Sequence, residues 1–283
     1  MKSVCVTSGG GDSIVNGLML LKDGYEVHFL NVMHGQKCEL AERLSCINIT
    51  ERLKDLNYNC ELHTIEIPWL GQLGGSGLTD RKMSVPGGLD GVYNSTIGKI
   101  FTPARNVVLL SLAASLSERL GIEYITLGCN QSEIGYLDNT KTFLDAYTEV
   151  LKYGCYHIHP QVISPIWELD KVEIYKWAFD TGFGWVLSEL TWSCDDSPTY
   201  IGGSISNRKS YVSCGKCGCC RNRRLVFYIL DMMYPKQQYL DRQTYLDEQW
   251  FWKDLLPTIR KRGIPMNKWF SSYAEVLQCK IIR

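Results

Sequence analysis

The chain has 283 residues, of which 45% are hydrophobic and 21% are charged, a composition typical of globular proteins. Lysine plus arginine and aspartate plus glutamate both number 30, so no net charge draws the chain to nucleic acid. No apolar run reaches the roughly 18 residues that span a bilayer, and the first apolar stretch is too short for a signal peptide. We therefore expect a cytoplasmic protein that binds neither membranes nor nucleic acid.

Apolar strands alternate with helical patterns through residues 1–190, which we expect to form one domain. This alternation predicts an α/β fold with a doubly wound parallel sheet, in which ligands bind at the carboxyl ends of the strands. The first helix is expected to open at Asp12 and to end at Gly24, and loops are expected over 71–103. Further helices are predicted at 39–56, 104–120, 138–153 and 170–181. Strands are predicted at 2–7, 26–33, 61–67, 123–128 and 157–163.

The pattern changes after residue 190. Residues 191–224 are polar and cysteine-rich and are expected to form a separate metal-binding element. Residues 225–283 are rich in aromatic and charged side chains and are expected to form a C-terminal helical extension. Its aromatic residues are more typical of core or subunit contacts than of a nucleic-acid platform. These residues are Trp250, Phe251, Trp252 and Trp269.

The stretch SGGGDS at residues 8–13 lies between the first strand and the first helix. Three glycines allow successive backbone N–H groups to approach an anion, and the helix N-terminus adds a partial positive charge. The serine hydroxyls can add donors, while Asp12 is expected to cap the helix or to hold Mg²⁺. A tight strand-to-helix turn would explain the same glycines. The predicted anion-site residues are Ser8, Gly9, Gly10, Gly11, Asp12 and Ser13.

Four of the twelve cysteines crowd into residues 214–220. Cys214, Cys217 and Cys220 follow a C-x-x-C-x-x-C spacing, and with Cys194 they supply the four thiolates of a closed tetrahedral zinc site. Buried free thiols, an iron–sulfur cluster and a redox pair are the alternatives. Cys219 interrupts the spacing and is either a spare thiol or a competing ligand. A structural zinc ion would fasten a polar loop that has little core of its own.

Several motifs carry a family resemblance. Ser-Gly-Gly-x-Asp-Ser after a first strand resembles the pyrophosphate loop of the N-type ATP pyrophosphatases, which have an adenine nucleotide alpha hydrolase-like fold. Within that group, TPARNVVLLSLAASLSE at 102–118, GCNQSEIGYLDN at 128–139 and SPIWELDKVEIYKWA at 164–178 resemble segments of the 7-cyano-7-deazaguanine synthases. LTWSC and CGKCGCCRNR match the zinc element of that family. The motifs keep their order over residues 3–224.

The resemblance assigns roles to residues whose types alone leave them open. Arg105 and Lys171 are implied to act in catalysis together with Asp12, near phosphate or carboxylate groups. A solvated helix start and an ordinary surface charge are the alternatives for the first two. Gln36 and Asn106 are implied to bind the nucleotide, with Gln36 near adenine, although a simple loop glutamine fits equally well.

The same resemblance implies a pocket for a purine-like base. The Tyr136 ring would stack on the base and the Asp138 carboxylate would accept hydrogen bonds from its ring nitrogens, unless the two are a simple turn pair. Glu133 is implied to bind the substrate too, at a position where the family usually has Asp. One residue is missing before Gly135, and Leu137 replaces a proline. Four histidines in strand-like runs are expected to be structural, namely His28, His63, His157 and His159.

The activity implied by the resemblance is an ATP-dependent ligase reaction. Ammonia and 7-carboxy-7-deazaguanine would yield 7-cyano-7-deazaguanine through an acyl adenylate and an amide, in queuosine or modified-DNA base biosynthesis. ATP, Zn²⁺ and Mg²⁺ are the implied cofactors, and a homodimer is the implied assembly. A tRNA thiolase on the same scaffold, a variant that stops at the amide and a nucleotide-binding protein without turnover are the alternatives. The neutral net charge and the absence of a cysteine pair beside the loop disfavour the thiolase.

Overall fold

A five-stranded parallel sheet is the centre of the computed structural model, with strand order β3-β2-β1-β4-β5. The order reverses direction at β1, which makes the carboxyl ends of β1 and β4 a topological switch point. The strands are β1 Lys2–Val6, β2 Glu26–Met33, β3 Cys60–Glu66, β4 Tyr124–Thr126 and β5 Gln161–Ile163. The structure describes residues 1–85, 100–131, 136–202, 210–234, 239, 241–249 and 251–261.

Helices cover both faces of the sheet, which confirms the predicted doubly wound α/β fold. On one face, Leu18 and Leu53 pack against Phe29; on the other face, Leu110 and Leu144 lie in a second apolar cluster. Two five-residue π-helical turns lie at Val186–Leu190 and Phe251–Leu255. The α-helices are α1 Gly11–Lys22, α2 Glu39–Asp55, α3 Trp69–Gln72, α4 Arg105–Leu120, α5 Lys141–Gly154, α6 Lys171–Asp180, α7 Gly218–Met233 and α8 Leu256–Lys261.

The predicted start of α1 needs a correction. Gly10, with an extended backbone, is the N-cap, and no side chain caps the helix, so the predicted capping role of Asp12 is wrong. The other end is as predicted, because Gly24 follows the helix with a φ of 81°. That left-handed conformation favours glycine at a helix end.

Two strands are shorter than predicted by three residues or more, and one helix begins three residues later than predicted. The strand predicted at 157–163 spans only Gln161–Ile163, because the N–H groups of Tyr156 and His157 bond to the Glu118 carboxylate instead of to a neighbouring strand. The strand predicted at 123–128 spans Tyr124–Thr126. Helix α5 begins at residue 141 rather than 138, because the Thr140 hydroxyl accepts the N–H of Phe143 at 3.1 Å and caps it.

The cysteine-rich segment and the C-terminal extension are joined by one helix. Strands β6 Thr199–Tyr200 and β7 Tyr211–Val212 form an antiparallel pair, and α7 then runs without a break across the predicted boundary at residue 224. The buried Arg223 binds Asp241 of the extension at 2.9 Å. Among the helices that the structure describes, none is long and apolar enough to cross a bilayer.

Candidate nucleotide site and cysteine cluster

Hydrogen bonds from three separate parts of the chain hold the loop after β1 in place. The Gly9 N–H bonds to the Thr7 hydroxyl at 3.1 Å, and the Gly9 carbonyl accepts the Trp192 N–H and the Ser45 hydroxyl, each at 2.9 Å. Gly9 has a φ of +74°, and a Cβ there would lie 2.8 Å from the Glu42 carbonyl oxygen. Both the backbone angle and the contact with α2 therefore require glycine.

The other two glycines meet different neighbours. A Cβ on Gly10 would lie 3.2 Å from the Ser8 hydroxyl and 3.4 Å from the Trp192 carbonyl oxygen, so that position is the most open. A Cβ on Gly11 would come within 2.8 Å of the Cε2 atom of Tyr175, whose ring is buried. Packing against α6 therefore explains the third glycine, whereas the sequence suggested access for phosphate or a tight turn.

Backbone N–H groups at the amino end of α1 are available as hydrogen-bond donors. The amides of Gly11, Asp12 and Ser13 lie in the first helical turn, where an α-helix provides no backbone acceptor, and no side chain caps it. The Ser13 hydroxyl receives the Ser8 N–H at 3.3 Å and lies 3.2 Å from the Gly10 carbonyl oxygen, which fixes the loop around the helix start. These residues fit a phosphate group, since a helix N-terminus favours anions.

Asp12 has one engaged and one unpaired carboxylate oxygen. Oδ2 binds the Lys171 ammonium and accepts the Asn130 amide at 3.2 Å. Oδ1 is buried and finds no hydrogen-bond partner among the described residues. A buried carboxylate oxygen without a partner fits a hard cation such as Mg²⁺, which takes oxygen ligands. The structure therefore brings together Asp12 and Lys171, which lie 159 positions apart in the sequence.

Arg105 faces a group of buried titratable residues that the sequence analysis missed. It follows Ala104, which has a left-handed backbone with a φ of 54°. Burial raises the pKa of Glu42 and raises that of Asp195 to about 6, while Arg105 acts in the opposite direction on both. Burial, followed by the charge of Arg105, lowers the pKa of His34 to about 4. Arg105 thus supplies positive charge that partly offsets the carboxyl groups of Glu42 and Asp195.

Neighbouring residues already form hydrogen bonds with the side-chain amide of Gln36. Its amide oxygen accepts the His34 N–H at 2.7 Å, and its amide nitrogen donates to the Val32 carbonyl at 3.2 Å and to the Glu42 carboxylate at 2.7 Å. These three bonds use both amide hydrogens. The side chain therefore braces the loop after β2, and the predicted contact with adenine, which stays a prediction, is left with the amide oxygen alone.

The residues predicted to bind the base are described in part. Asn106 donates to the Asp138 backbone carbonyl at 2.9 Å, so it positions that segment. The Tyr136 ring stacks on Phe101 with 6.3 Å between the ring centroids. Glu133 lies outside the described residues, and its predicted role stays a prediction.

Four cysteine sulfurs converge between the segment after residue 190 and the start of α7. All four lie within 4.8 Å of one another, and backbone N–H groups of Cys214, Cys217 and Cys220 each point to a sulfur of the cluster at 3.3–3.4 Å. Such donors stabilise thiolates, and the set fits a metal with four sulfur ligands. The ligand set is Cys194, Cys214, Cys217 and Cys220. Cys219 lies outside it, and its sulfur instead interacts with the buried carboxyl of Asp195.

The chain matches the family described as Queuosine biosynthesis protein QueC over residues 2–230. It belongs to that family. The resemblance to 7-cyano-7-deazaguanine synthases is thereby confirmed, and with it the prediction of an enzyme in queuosine biosynthesis. Residues 231–283 lie beyond the match with the QueC family.

Curated relatives carry the corresponding name. A "7-cyano-7-deazaguanine synthase" of Methanospirillum hungatei is 32% identical over 237 residues, which cover 83% of this chain and 98% of the relative. A protein of the same name from Methanococcus maripaludis is 30% identical over 234 residues, covering 80% of this chain and 94% of the relative. The family match over residues 2–230 includes the sheet, the loop and the cysteine cluster of this QueC family member.

Solved structures with a similar fold are more distant. The U34-tRNA thiolase NcsA from Methanococcus maripaludis, with its [4Fe-4S] cluster, is 14% identical with a TM-score of 0.42, covering 98% of this chain and 72% of the thiolase. A 4-thiouridine synthetase bound to RNA and ATP is 13% identical with a TM-score of 0.42, covering 98% of this chain and 52% of the synthetase. At this level neither likeness bears on function.

Trp192 links the cysteine cluster to the glycine loop through two hydrogen bonds. The Trp192 N–H donates to the Gly9 carbonyl at 2.9 Å, and the indole N–H of the same residue donates to the Cys194 carbonyl at 2.7 Å. Trp192 is nearly fully buried. A metal held by Cys194 would therefore stabilise the segment that supports the loop.

Proposed function

We propose that the protein converts 7-carboxy-7-deazaguanine and ammonia into 7-cyano-7-deazaguanine in an ATP-dependent reaction. The observation that carries the proposal is the uncapped amino end of α1, flanked by the unpaired Asp12 Oδ1 and the Lys171 ammonium, in a member of the QueC family. Family membership supports the substrate class, and the loop supports the use of ATP.

A carboxylate resists ammonia because oxide is a poor leaving group. In the proposed first step, a carboxylate oxygen bonds to the α-phosphorus of ATP and pyrophosphate leaves. Ammonia then attacks the acyl carbon, AMP leaves, and one proton is released with the amide product. A second ATP activates the amide oxygen in the same way with release of pyrophosphate, and loss of AMP and of both amide protons yields the nitrile.

The residues of the loop would stabilise the charge that develops on pyrophosphate. Backbone amides of the first turn of α1 that are already positioned before the reaction would cost no reorganisation, which is the basis of such electrostatic catalysis. Lys171 and Arg105 add positive charge, and guanidinium groups bind anions in a bidentate way. Mg²⁺ bound at Asp12 would supply Lewis-acid assistance at the phosphates. A zinc ion held by four thiolates has no open position and would be structural.

The base would be bound on the other side of the site. Tyr136 offers an aromatic face and Asp138 a carboxylate acceptor, and Asn106 holds the segment that carries them. Glu133 completes the proposed substrate set. Ammonia from solution is the proposed nitrogen source, and the homodimer implied by the resemblance stays a prediction.

The test uses zinc-loaded protein, ATP, Mg²⁺, 7-carboxy-7-deazaguanine and ¹⁵N-ammonium, with mass spectrometry of the base. We expect a nitrile that carries one ¹⁵N and two AMP released per nitrile. Lys171→Met should abolish AMP release, whereas Lys176→Met, on the same helix and paired with Asp180, should retain it.

Other outcomes identify the alternatives. An amide as the final product would replace the nitrile in the reaction. Absence of AMP release in the wild-type protein would contradict the proposal and favour a nucleotide-binding protein. Sulfur transfer to tRNA without conversion of the base would favour a thiolase.

A further inference from the structure

Strands β2 and β3 carry the same Glu-x-His triplet side by side, at the amino end of the sheet and away from the loop. The triplets are Glu26-Val27-His28 and Glu61-Leu62-His63. In the parallel register His28 pairs with Glu61, and alternation along a strand places His63 on the same face as Glu61. Three potential ligand side chains therefore project together.

Their ligand atoms converge to metal-binding distances. His28 Nδ1 lies 3.0 Å from His63 Nε2, and Glu61 Oε2 lies 3.5 Å from the first nitrogen and 3.7 Å from the second. A circle through three atoms with these separations has a radius of about 2.0 Å, which matches the Zn–N and Zn–O bond lengths of about 2.0–2.2 Å. One ion can thus reach all three atoms.

A second carboxylate orients the first histidine. Glu26 Oε1 lies 2.8 Å from His28 Nε2 and 3.0 Å from the Lys2 ammonium. Because an ionised carboxylate only accepts hydrogen bonds, His28 Nε2 donates to Glu26, and Nδ1 is the ring nitrogen that points to the cluster. Histidine ligands of protein metal sites typically have such a carboxylate partner.

The second histidine is partly open to solvent, since 16% of the His63 side chain is exposed. His28 is buried, whereas the Glu61 side chain is 57% exposed, so an ion would reach the cluster from solvent and keep a water ligand there.

We propose that His28, His63 and Glu61 form a second metal site, which binds one divalent transition ion of the Zn²⁺, Co²⁺ and Ni²⁺ class. Two imidazoles and one carboxylate suit this class rather than Mg²⁺ or Ca²⁺. The bound ion joins the edge strand β3 to β2, so it stabilises that edge of the sheet. The site is separate from the four cysteines and does not depend on the proposed reaction.

Equilibrium dialysis of the zinc-loaded protein against buffered Zn²⁺, with total metal measured, tests the site. We expect two equivalents per wild-type chain and one in His63→Ala and Glu61→Gln. Glu26→Gln should keep the second equivalent but bind it about 10–100-fold more weakly, as for other carboxylate partners of ligands. The exposed His157 supplies the matched control, and His157→Ala should bind two equivalents.

Cobalt distinguishes the two sites by their ligands. Co²⁺ added to protein whose cysteine site retains zinc should give weak visible bands without the strong near-ultraviolet band of cobalt thiolates, and His63→Ala should lose the visible bands. Uptake of a single equivalent by the wild-type chain, or a second equivalent that persists in both His63→Ala and Glu61→Gln, would overturn the proposal. Glu61 is exposed, so Glu61→Gln is expected to fold and keeps the test decisive.

Discussion

The pair of Lys171 and Asp12 links α6 to the loop, and removing one partner should be costly. Their side chains are only 16% and 12% exposed. Lys171→Met leaves the Asp12 carboxylate with a hydrogen bond from the Asn130 amide at 3.2 Å. An unpaired buried charge costs about 3–5 kcal/mol, and the remaining exposure and the Asn130 bond reduce the expected loss to about 2–3 kcal/mol.

A double-mutant cycle measures the pair itself. Asp12→Asn should cost a similar amount, because it leaves the ammonium without its counter-charge. The double variant buries no charge and should cost about as much as either single variant, so the coupling free energy should be about 2–3 kcal/mol. Lys176→Met is the control and should change the free energy of unfolding by less than about 0.5 kcal/mol, because its partner Asp180 is exposed.

Urea unfolding of the zinc-loaded protein, followed by tryptophan fluorescence at neutral pH, supplies the free energies, and ATP titration supplies a second measurement. Both single variants and the double variant should bind ATP more weakly, since Lys171 and Asp12 also face the phosphates in the proposed site. Additive losses within about 0.5 kcal/mol would refute the reasoning, because independent sites add to that accuracy.

Three further substitutions test other parts of the structure. Burial lowers the pKa of His34 from 6.5 to about 4, so as the pH falls the unfolded chain takes up the proton first. The stability that neutral His34 contributes is complete above about pH 6.5, and about 3 kcal/mol of it is lost by about pH 4. His34→Gln should therefore flatten the pH dependence of the free energy of unfolding between these two pH values. Cys217→Ser should reduce bound zinc at the cysteine cluster, measured by metal analysis, and weaken ATP binding through the segment that supports the loop. Arg223→Met should cost about 3 kcal/mol in urea unfolding, because it leaves the nearly buried Asp241 carboxylate of the extension without its positively charged partner.

The first two of these have a matched control, and all three have an outcome that would contradict them. His157→Gln alters an exposed ring and should leave the pH profile unchanged; equal profiles for His34→Gln and wild type would contradict the first prediction. Cys219→Ser should retain zinc, and loss of zinc there but not in Cys217→Ser would show that the ligand set is wrong. A loss below about 1 kcal/mol for Arg223→Met would show that the extension does not depend on that contact.

Local patterns predicted the fold and the convergence of the cysteines. The apolar runs at 2–7 and 26–33 are buried on both sides, as strands inside a parallel sheet must be, and the cysteine spacing at 214–220 places three sulfurs around the start of α7. A glycine loop after the first strand also indicated the edge of the sheet at which the site lies. All of these are short-range signals, so a single sequence carries them.

The side-chain environment of the site was not predictable in the same way. The Ser45 hydroxyl bridges the loop to Leu190, 145 residues later, and Asp195 lies close enough to Glu42 to raise its pKa. No local pattern reports such pairs. Gln36 was located correctly after β2, but its neighbours Val32 and Glu42 use its amide hydrogens. The sequence pattern of α2 could have indicated Glu42 as a site residue, because Glu42 lies three residues before Ser45 on a mostly apolar helix face.

The contact between Gly11 and Tyr175 has a consequence for sequence variation in the loop. The motif Ser-Gly-Gly-x-Asp-Ser leaves its fourth position open, but here the phenol ring of α6 already occupies the volume that a side chain at that position would need. Side chains at positions 11 and 175 would therefore compete for the same volume. We expect a bulky residue at one of these positions to occur together with a small residue at the other.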